Sequence, residues 1–281
     1  MKPARGARGV RRVDLHTHTT FSDGALDPEA LVALAVERGL AALAVTDHDS
    51  VEALPRARAA APSTLEIVPG IEVSTTAAGL DLHVLGYYVD PEHAGLRARL
   101  ERFRGERVAR AEAILARLAD LGHAVARDEV LALAGHGVVG RPHVAQALVR
   151  AGHVATVDEA FRRFLAPHGA AYVPRPAFRP EEAIALIHGA GGVSVLAHPG
   201  AALGDTLAER LVAAGLRGVE VWHPQHAAPA MRRWRAFAAR FGLIATGGSD
   251  FHGPGRGAAL GDLPVPWTAL AGLKRAAGVA G

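Results

Sequence analysis

The stretch Asp14-Leu15-His16-Thr17-His18-Thr19 places two histidines one residue apart, where an apolar segment gives way to polar residues. On a β-strand, residues i and i+2 point to the same face, so both imidazoles can reach one metal ion. Histidine is also the commonest metal ligand in its neutral form. Two surface histidines at the end of a strand would give the same pattern, so the pair acquires meaning only from residues elsewhere in the chain.

Strands and helices alternate outward from this stretch. The next helix begins at Asp27-Pro28-Glu29, with Asp27 as N-cap, proline at the first helical position and an acid in the first turn. Apolar runs predict strands at 10–15, 40–46, 67–73, 80–88, 193–197, 219–222 and 243–246, and helices are predicted at 28–39, 51–61, 206–214 and 229–241. A turn at 76–79 joins two of the strands. This alternation favours a parallel sheet, either open or closed into a barrel.

The middle of the chain has a different composition. Asp90-Pro91-Glu92 predicts the start of a long helix, rich in arginine and alanine, that ends near residue 121. Shorter helices are predicted at 128–134, 142–151 and 157–165. We therefore expect a first part of a barrel at 1–95, a helical insertion resting over the barrel at 96–175, and a second part of the barrel at 176–281.

Composition limits the classes of protein to which the chain can belong. Its 281 residues suffice for one large α/β domain, or for one domain with an insertion. Hydrophobic residues make up 49% and charged residues 21%, the balance of an ordinary globular protein. There is no cysteine, so disulfides and thiolate metal sites are excluded and any metal must be bound by nitrogen and oxygen. Such ligands favour manganese, iron, zinc or magnesium.

The sequence gives no indication of a membrane. No apolar run approaches the ~20 residues that cross a bilayer, and the basic residues 1–12 lack the apolar segment of a secretory signal. We expect a cytoplasmic protein. The net charge of +3, carried almost wholly by arginine, is compatible with a nucleotide or nucleic-acid partner. A base-composition bias, which also favours Ala, Gly and Pro, is the better explanation of that charge.

Metal-competent side chains recur at one kind of position. Most of them come at the carboxyl end of a predicted strand, whereas His83 falls inside its strand and fits less cleanly. The set consists of His16, His18, Asp23, His48, Glu72, His83, His198, Asp250 and His252. In a βα barrel these strand ends converge on one face, where active sites form. Histidines scattered over a surface would not prefer that position, so we expect these side chains to meet.

The number of candidate ligands argues for more than one metal ion. A single ion with four to six ligands cannot use all nine side chains and still bind water and substrate. Two or three ions that share bridging carboxylates would use them, and Glu72 and Asp250 are the candidate bridges because a carboxylate offers two oxygens. A site of this kind clamps the attacking and leaving oxygens of a phosphoryl displacement and makes hydroxide available near neutral pH.

Six motifs, in order along the chain, carry a family resemblance. They are Asp14-Leu15-His16-Thr17-His18-Thr19 with Ser22-Asp23-Gly24, Val45-Thr46-Asp47-His48-Asp49, Gly70-Ile71-Glu72-Val73-Ser74, His83-Val84-Leu85-Gly86-Tyr87, Ala197-His198-Pro199-Gly200 and Gly248-Ser249-Asp250-Phe251-His252-Gly253. The chain is similar to metal-dependent phosphoesterases of the polymerase-and-histidinol-phosphatase (PHP) family. Within this family it most resembles the stand-alone group that contains ribonuclease AM and nucleoside 3',5'-bisphosphate phosphatases.

The resemblance implies a distorted (β/α)7 TIM-like barrel with an inserted helical subdomain, and a site for three divalent metal ions. Manganese is the first candidate, with iron or zinc as alternatives. The implied ligands are His16, His18, Glu72 and Asp250 for the first ion, Asp23, His48 and His252 for the second, and Glu72, His83 and His198 for the third. Glu72 is then the bridge. The implied reaction is hydrolysis of a phosphate ester by metal-activated hydroxide, without a covalent nucleophile.

The insertion carries residues that the same resemblance assigns to the substrate. Arg141 and Arg175, in Gly140-Arg141-Pro142-His143 and Tyr172-Val173-Pro174-Arg175, are expected to bind a second, non-scissile phosphate through bidentate contacts. Packing of Arg141 beside the helix that starts at Pro142 is an equally good interpretation. His143 is the candidate to add a hydrogen-bond donor or to protonate the leaving group.

Other polar residues have simpler interpretations. His223 follows a predicted strand and is a candidate for substrate binding, although a histidine in such a loop is usually solvated, as we expect for His226. Asp47 and Asp49 are expected to orient His48 or to cap a helix, and Asp49 is the better candidate for the cap.

Three functions are open at this point. The first is a phosphatase acting on a nucleoside 3',5'-bisphosphate, and the second is a 5'-to-3' exonuclease that shortens RNA or DNA at the same site. The third is a non-catalytic metal-binding module, against which the full ligand set and the stand-alone chain argue. Histidinol phosphate is a more distant substrate because of Arg141 and Arg175. The expected partner is a small nucleotide or a short oligonucleotide, and the oligomeric state is open, a monomer included.

Overall fold

The computed structural model describes residues 11–77, 79–201 and 203–280. Within these ranges seven β-strands form one sheet: β1 (Arg12–Asp14), β2 (Leu40–Val45), β3 (Glu66–Ala77), β4 (Leu80–Tyr87), β5 (Val193–Leu196), β6 (Gly218–Trp222) and β7 (Ile244–Gly247). The α-helices are α1 (Pro28–Glu37), α2 (Leu54–Ala60), α3 (Ala94–Asp120), α4 (Arg127–Ala134), α5 (Arg141–Arg150), α6 (Val157–Ala160), α7 (Pro180–Gly189), α8 (Asp205–Ala213), α9 (Ala228–Phe241) and α10 (Trp267–Ala277). A π-helical turn, Phe161–Leu165, follows α6.

The strands neighbour one another in sequence order from β1 to β7. β1, β2 and β3 are parallel, as are β5, β6 and β7, whereas β4 is antiparallel to both of its neighbours. The predicted α/β class with a distorted barrel is confirmed, but the prediction of a parallel sheet is wrong at β4. The connection from Ala77 to Leu80 is too short for the crossover that a parallel neighbour requires, so β3 and β4 form a hairpin.

The two edges of the sheet approach each other beyond β1 and β7. Thr17 and Phe251 form a parallel bridge. The carboxylate of Asp14, which is 1% exposed, accepts hydrogen bonds from the amides of Ser249 at 2.9 Å and Gly261 at 2.8 Å. This buried carboxylate therefore fastens β1 to the segment that follows β7, at the level of the strand ends.

Each face of the sheet buries its own set of side chains. In β2, Leu43 and Val45 belong to the large apolar cluster that also contains the buried faces of α1, α7 and α9. Ala42 and Ala44 alternate with them and belong to a second cluster, in which Leu270 of α10 packs. The alternation follows from the two-residue period of a strand.

The helices of the middle region have an apolar core of their own. Residues of α3, α4, α5 and the π-helical turn share one buried cluster, which includes Ile114, Leu118, Val130, Leu148 and Leu165. Its members run from Ala111 to Ala171. The division of the chain at 95/96 and 175/176 stays a prediction, and residues 1–10 of the first predicted segment lie outside the described residues.

The predicted start of the long helix is wrong for a local reason. The Asp90 carboxylate accepts from the Glu92 amide at 2.9 Å and holds these residues in a turn. The helix α3 starts only at Ala94, where the His93 side chain accepts from the Leu96 amide and acts as the N-cap.

The ends of other helices and strands can also be compared with the predicted ones. The cap at Asp27 is confirmed, since its carboxylate accepts from the Ala30 amide at 2.8 Å. Helices α7 and α10 are not predicted from the sequence. The predicted first strand and the predicted turn at 76–79 include Val10 and Ala78, which lie outside the described residues. Within the described chain, every helix is too short or too polar to span a membrane.

Candidate metal centre

All nine predicted ligands lie in one cluster at the carboxyl ends of the parallel strands. They are delivered by several elements: His16, His18 and Asp23 follow β1, His48 follows β2, Glu72 lies on β3, His83 on β4, His198 follows β5, and Asp250 and His252 follow β7. Six of the seven strands, or the segments that follow them, each contribute one to three of these side chains, so the cluster depends on most of the sheet.

Glu72 lies at the centre of this cluster and is completely buried. Its Oε2 lies 3.2 Å from Nε2 of both His16 and His18 and 3.0 Å from Nδ1 of His48. Its Oε1 lies 2.8 Å from His83 Nδ1 and 2.9 Å from His198 Nε2. One carboxylate therefore contacts five imidazoles. The residue types alone offer Glu72 and Asp250 as bridges, the family resemblance implies Glu72, and the geometry also favours Glu72.

Two further carboxylates complete the cluster. Asp250 Oδ1 lies 3.3 Å from His16 Nε2 and 3.1 Å from His18 Nε2. Asp23 Oδ1 lies 3.2 Å from His252 Nε2 and is farther from His48 Nε2, at 3.9 Å. Because each carboxylate faces a different pair of imidazoles, the ligands divide into subsets rather than surrounding one point.

The subsets can be read from ligand atoms that lie within 4.8 Å of one another. They are His16, His18, Glu72 and Asp250; His18, Asp23, His48 and His252; His48, Glu72 and His83; and His16, Glu220 and His223. The first three overlap the three ligand sets implied by the family resemblance. The last contains Glu220, a residue that the sequence analysis did not select.

Buried polar atoms test whether these residues fit a metal. Five buried atoms of the cluster, although close to one another, make no hydrogen bond of normal geometry within the described part of the chain: His16 Nε2, His18 Nε2, Asp23 Oδ1, His48 Nδ1 and Glu72 Oε2. A buried polar atom without a partner is costly, and here five of them point into one small volume. Imidazole nitrogens and carboxylate oxygens suit divalent transition metals. The residues present therefore fit metal ions.

Charge coupling within the cluster is strong. Burial alone would lower the pKa of His18, but the adjacent carboxylates of Asp250 and Glu72 outweigh it and raise the pKa to about 10. Burial lowers the pKa of His48 to about 3, and the charges of Glu72 and Asp23 offset only part of this effect. Burial would raise the pKa of Glu72, but the surrounding imidazoles hold it well below the usual range. The carboxylates therefore stay anionic and require positive charge beside them.

His83 reaches the cluster because β4 runs against its neighbours. It pairs with Ser74 of β3, and the Ala197 amide donates to the His83 carbonyl at 3.1 Å, directly before His198. The first half of β4 consequently lies at the same edge as the carboxyl ends of the parallel strands. The hairpin explains why His83 does not sit at a predicted strand end.

Several ligands are held in strained backbone conformations. His198 and Asp250 have positive φ angles of 23° and 50°, and Asp49, next to His48, has 49°. A non-glycine residue in this region costs on the order of 1–3 kcal/mol. Such strain persists only where surrounding contacts fix the backbone, and it concentrates here around the cluster.

Asp47 and Asp49 support the loops that carry ligands. The Asp47 carboxylate accepts from the Thr19 amide at 2.7 Å and from the Ser22 hydroxyl at 2.6 Å, which fixes the loop before Asp23. Asp49 accepts from the Ser74 amide at 2.8 Å. The predicted role of Asp49 as a helix cap is wrong, because α2 begins only at Leu54 and has no side-chain cap.

A cavity of about 110 Å³ opens beside the cluster, with Asp23, His48 and His83 in its wall. Four arginines line its other side: Arg107, Arg110, Arg141 and Arg175. They face two carboxylates, Asp49 and Asp81, so two of the four positive charges remain uncompensated within this group. An anion that entered the cavity would therefore meet an excess of positive charge.

The arginines differ in how fully they are used. Arg141 donates to Asp81 Oδ2 at 3.0 Å and to the Leu165 carbonyl at 3.2 Å. Arg175 Nε lies 3.5 Å from Asp81 Oδ1, where it makes no hydrogen bond, and it has no other hydrogen-bond partner among the described residues. Arg110 Nη2 is likewise buried without a partner there, and burial together with Arg141 and Arg175 lowers the pKa of Arg110 to about 10. Arg110 and Arg175 thus keep donor capacity for a ligand.

The PHP domain family matches residues 14–163. The chain belongs to the PHP family. A 3',5'-nucleoside bisphosphate phosphatase of Chromobacterium violaceum is 38% identical over 255 residues, which cover 88% of this chain and 90% of that protein. The 5'-3' exoribonuclease Rnm of Salmonella typhimurium is 39% identical over 265 residues, 92% of this chain and 87% of that protein. A solved structure from Bifidobacterium adolescentis, described as a candidate metal-dependent phosphoesterase, superimposes with a TM-score of 0.89 at 32% identity, covering 95% and 96% of the two chains.

His143 and His223, the two histidines of this PHP protein that are predicted to contact the substrate, are both buried. His143 Nδ1 accepts from the Gly140 amide at 3.0 Å, so the neutral ring carries its proton on Nε2, and burial lowers its pKa. His223 Nδ1 accepts from the Gln225 amide at 3.2 Å, and its Nε2 lies 3.3 Å from Asp250 Oδ2. Neither ring is free to turn.

The prediction that His226 is solvated is wrong. Its Nε2 accepts from the Gly200 amide at 3.0 Å, and its Nδ1 donates to the Val221 carbonyl at 3.0 Å. The ring therefore ties the loop after β5, where His198 lies, to the end of β6.

A second, more open depression of about 260 Å³ adjoins the PHP cluster. It is lined by His223, Gln225, Asp250, His252 and Arg256, whereas the arginine cavity is lined by Asp23, His48 and His83. The ligand cluster thus borders two separate spaces through different ligands. Only the first of them is surrounded by several arginines.

Proposed function

We propose that this PHP protein is a metal-dependent phosphatase that hydrolyses one phosphate ester of a nucleoside 3',5'-bisphosphate. The observation that carries the proposal is the wall shared by the metal cluster and the arginine cavity, where Asp23 and His48 face the same space as Arg141 and Arg175. A substrate with two phosphates can place one at the cluster and the other among the arginines. The Chromobacterium violaceum relative bears the name of this activity.

We assign three divalent ions to the cluster, with manganese as the first candidate and iron or zinc as alternatives. Their ligands would be His16, His18, Glu72 and Asp250; Asp23, His48 and His252; and Glu72, His83 and His198. Such ions, when bound, supply positive charge at the phosphoryl oxygens and make hydroxide available near neutral pH. Glu72 stays anionic throughout and keeps the imidazoles directed at one small volume.

The arginines supply recognition of the second phosphate. Asp81 holds Arg141 and Arg175 side by side, so that their guanidinium groups are arranged before the substrate arrives. A phosphate ester carries a charge of about −1.5 to −2 near pH 7, opposite in sign to the four guanidinium groups that line the cavity. Guanidinium groups bind such oxyanions through paired N–H donors.

His143 is proposed to stabilise the leaving oxygen as a hydrogen-bond donor. Its Nδ1 is occupied by the Gly140 amide, and the lowered pKa keeps the ring neutral. The ring consequently offers an Nε2–H group rather than a readily lost proton. His223 is proposed to contact the substrate at the border of the second depression, which it lines.

A 5'-to-3' exonuclease is the second candidate, and the open depression favours it. A nucleotide chain with its terminal phosphate among the arginines and its next phosphate at the cluster could continue into the space lined by Gln225 and Arg256. The Salmonella typhimurium relative is named for this activity. With either substrate, we place the protein in the cytoplasm, where nucleotides and RNA fragments are formed.

One experiment separates the candidates. Protein loaded with Mn²⁺ is offered adenosine 3',5'-bisphosphate and a 5'-phosphorylated oligoribonucleotide, and inorganic phosphate and mononucleotides are measured. Phosphate from the first substrate without mononucleotides from the second supports the phosphatase. Progressive shortening of the oligoribonucleotide instead supports the exonuclease, and turnover of neither supports a non-catalytic module. Glu72→Gln is expected to lose whichever activity is present, and full activity of this variant would refute the assigned centre.

A further inference from the structure

Strand β6 provides none of the nine predicted metal ligands, yet it directs a buried carboxylate at them. Glu220 is 0% exposed. Its Oε1 and Oε2 each lie 3.2 Å from His16 Nδ1, and its Oε2 accepts from the His198 amide at 2.8 Å. In the described part of the chain, its one ion-pair partner is an imidazole, not an arginine or lysine. A buried carboxylate in such surroundings is costly to maintain.

We propose that Glu220 is a positioning residue that prepares His16 and His198 for metal binding. The inference rests on the proposed metal centre. An ionised carboxylate can only accept hydrogen bonds, so His16 must carry its proton on Nδ1, toward Glu220. His16 Nε2 lies 3.2 Å from Glu72 Oε2 and makes no hydrogen bond to any residue that the structure describes, so it then presents its lone pair to the cluster. A carboxylate behind a metal-bound histidine has this effect in many metal sites.

The same carboxylate fixes a second ligand through its backbone. His198 has a φ of 23°, a strained conformation for a residue with a side chain. Glu220 accepts from its amide, while the His198 ring lies 2.9 Å from Glu72 Oε1. Without an acceptor for this amide, the loop after β5 would lose the contact that holds its strained turn. Glu220 thus sets the orientation of ligands that come from β1 and from the end of β5.

Direct ligation is the competing explanation. Ligand atoms of His16, Glu220 and His223 lie within 4.8 Å of one another. In that arrangement, however, His16 would face metal with Nδ1, whereas its unpartnered nitrogen is Nε2. The geometry therefore assigns Glu220 to the support of His16.

Glu220→Gln tests the proposal, with Glu66→Gln as the matched control. Glu66 lies at the opposite end of the sheet, at the start of β3, where it pairs with Lys274. Metal-free wild type and both variants are titrated with Mn²⁺ by calorimetry. Glu220→Gln is expected to bind at least one ion about 10- to 100-fold more weakly, because glutamine offers one acceptor oxygen for two donors. Glu66→Gln is expected to retain wild-type affinity.

NMR of Zn²⁺-loaded, ¹⁵N-labelled protein gives a second measurement. With zinc on Nε2, the His16 proton lies on Nδ1 in both proteins; its resonance should lie far downfield in the wild type, where it is donated to a carboxylate, and should move upfield in Glu220→Gln. Unchanged affinity together with an unchanged Nδ1 proton resonance would overturn the proposal. Loss of one whole equivalent of metal, with the remaining ions bound normally, would also overturn it and identify Glu220 as a ligand.

Glu220→Asp keeps a carboxylate and serves where Glu220→Gln does not fold. Where both variants fold, Glu220→Asp is expected to bind Mn²⁺ more tightly than Glu220→Gln. Where only Glu220→Asp folds, its affinity for Mn²⁺ is expected to lie within 100-fold of the wild-type affinity. A greater loss contradicts the proposal. A wild type that binds Mn²⁺ but hydrolyses no nucleotide would refute the proposed function alone, because the comparison of affinities still decides the role of Glu220. A wild type that binds no metal would refute both.

Discussion

Replacing Arg175 with Gln should weaken the binding of a substrate with two phosphates and leave a substrate with one phosphate unaffected. Arg175 lines the arginine cavity, and its Nε lies 3.5 Å from Asp81 Oδ1 without a hydrogen bond to any described residue. Burial and the neighbouring charge of Arg107 lower its pKa. Removal of Arg175 therefore relieves repulsion among the arginines of the cavity, and Asp81 still pairs with Arg141 at 3.0 Å. We expect the fold to be unharmed.

The magnitude follows from the contacts that the phosphate loses. A hydrogen bond to a charged group contributes about 1.5–3 kcal/mol, and each 1.4 kcal/mol is about a factor of ten. The KM of Arg175→Gln for adenosine 3',5'-bisphosphate should therefore rise about 10- to 150-fold. Adenosine 3'-monophosphate lacks the second phosphate, so its KM should change less than about twofold.

Steady-state phosphate release with both substrates measures this difference. Arg163→Gln is the control, because Arg163 is an arginine of the same helical region that pairs with Glu159 at 2.7 Å, away from the cavity. Equal changes in KM for the two substrates, or no change for either, would show that the cavity does not bind the second phosphate. A fall in the melting temperature of the variant would contradict the argument that removal of Arg175 relieves repulsion.

Three further perturbations test the cluster and the contact between β1 and the segment that follows β7. Asp14→Asn leaves the amide of Ser249 or of Gly261 without an acceptor, which should lower the free energy of unfolding by about 1–3 kcal/mol. The melting temperature should therefore fall by about 2–10 °C. An unchanged melting temperature would refute the role of Asp14 in fastening β1. Chelation should lower the melting temperature by roughly 5–10 °C if metal is present at about 100 times its Kd, whereas identical melting curves would argue against bound metal. Mn²⁺ binding at pH 7 should release protons, because the His18 pKa is raised to about 10 in the metal-free protein; calorimetric heats that do not depend on the buffer would contradict this. In that metal-free state, the stabilisation from His18 is complete below about pH 6.5 and is lost as the pH rises through about 10.

The membership of the cluster could be predicted because it depends on strand ends. The ends of parallel strands converge in any βα barrel, so His16, His48, His198 and Asp250 required only an approximate assignment of strands. The position of His83 could be predicted only from the direction of β4 in the sheet. The short β3–β4 connection determines that direction, but the alternation of strands and helices led to the prediction that β4 is parallel. Periodicity reports which residues form a strand but not which way that strand runs in the sheet.

The supporting residues could not be predicted in the same way. Glu220 is a single acid in an apolar strand, and only its burial distinguishes it from an acid at an exposed position. Arg107 and Arg110 belong to a helix rich in arginine, where the sequence pattern is that of a solvated face. Their roles depend on which side of α3 faces the barrel, and this is settled by packing between segments far apart in the chain.

That packing joins the arginine cavity to the metal cluster through a single helix. Arg107 of α3 donates from Nε and Nη2 to Asp49 Oδ2 at 2.8 and 2.5 Å, and Asp49 directly follows His48. Arg110 is three residues later, on the same face of the helix, and reaches the cavity with an unpartnered Nη2. A phosphate that binds Arg110 is thereby linked to the loop that positions His48. The helical region therefore adjoins the barrel residues of the cluster, because α3 contacts Asp49 beside His48 and also lines the arginine cavity.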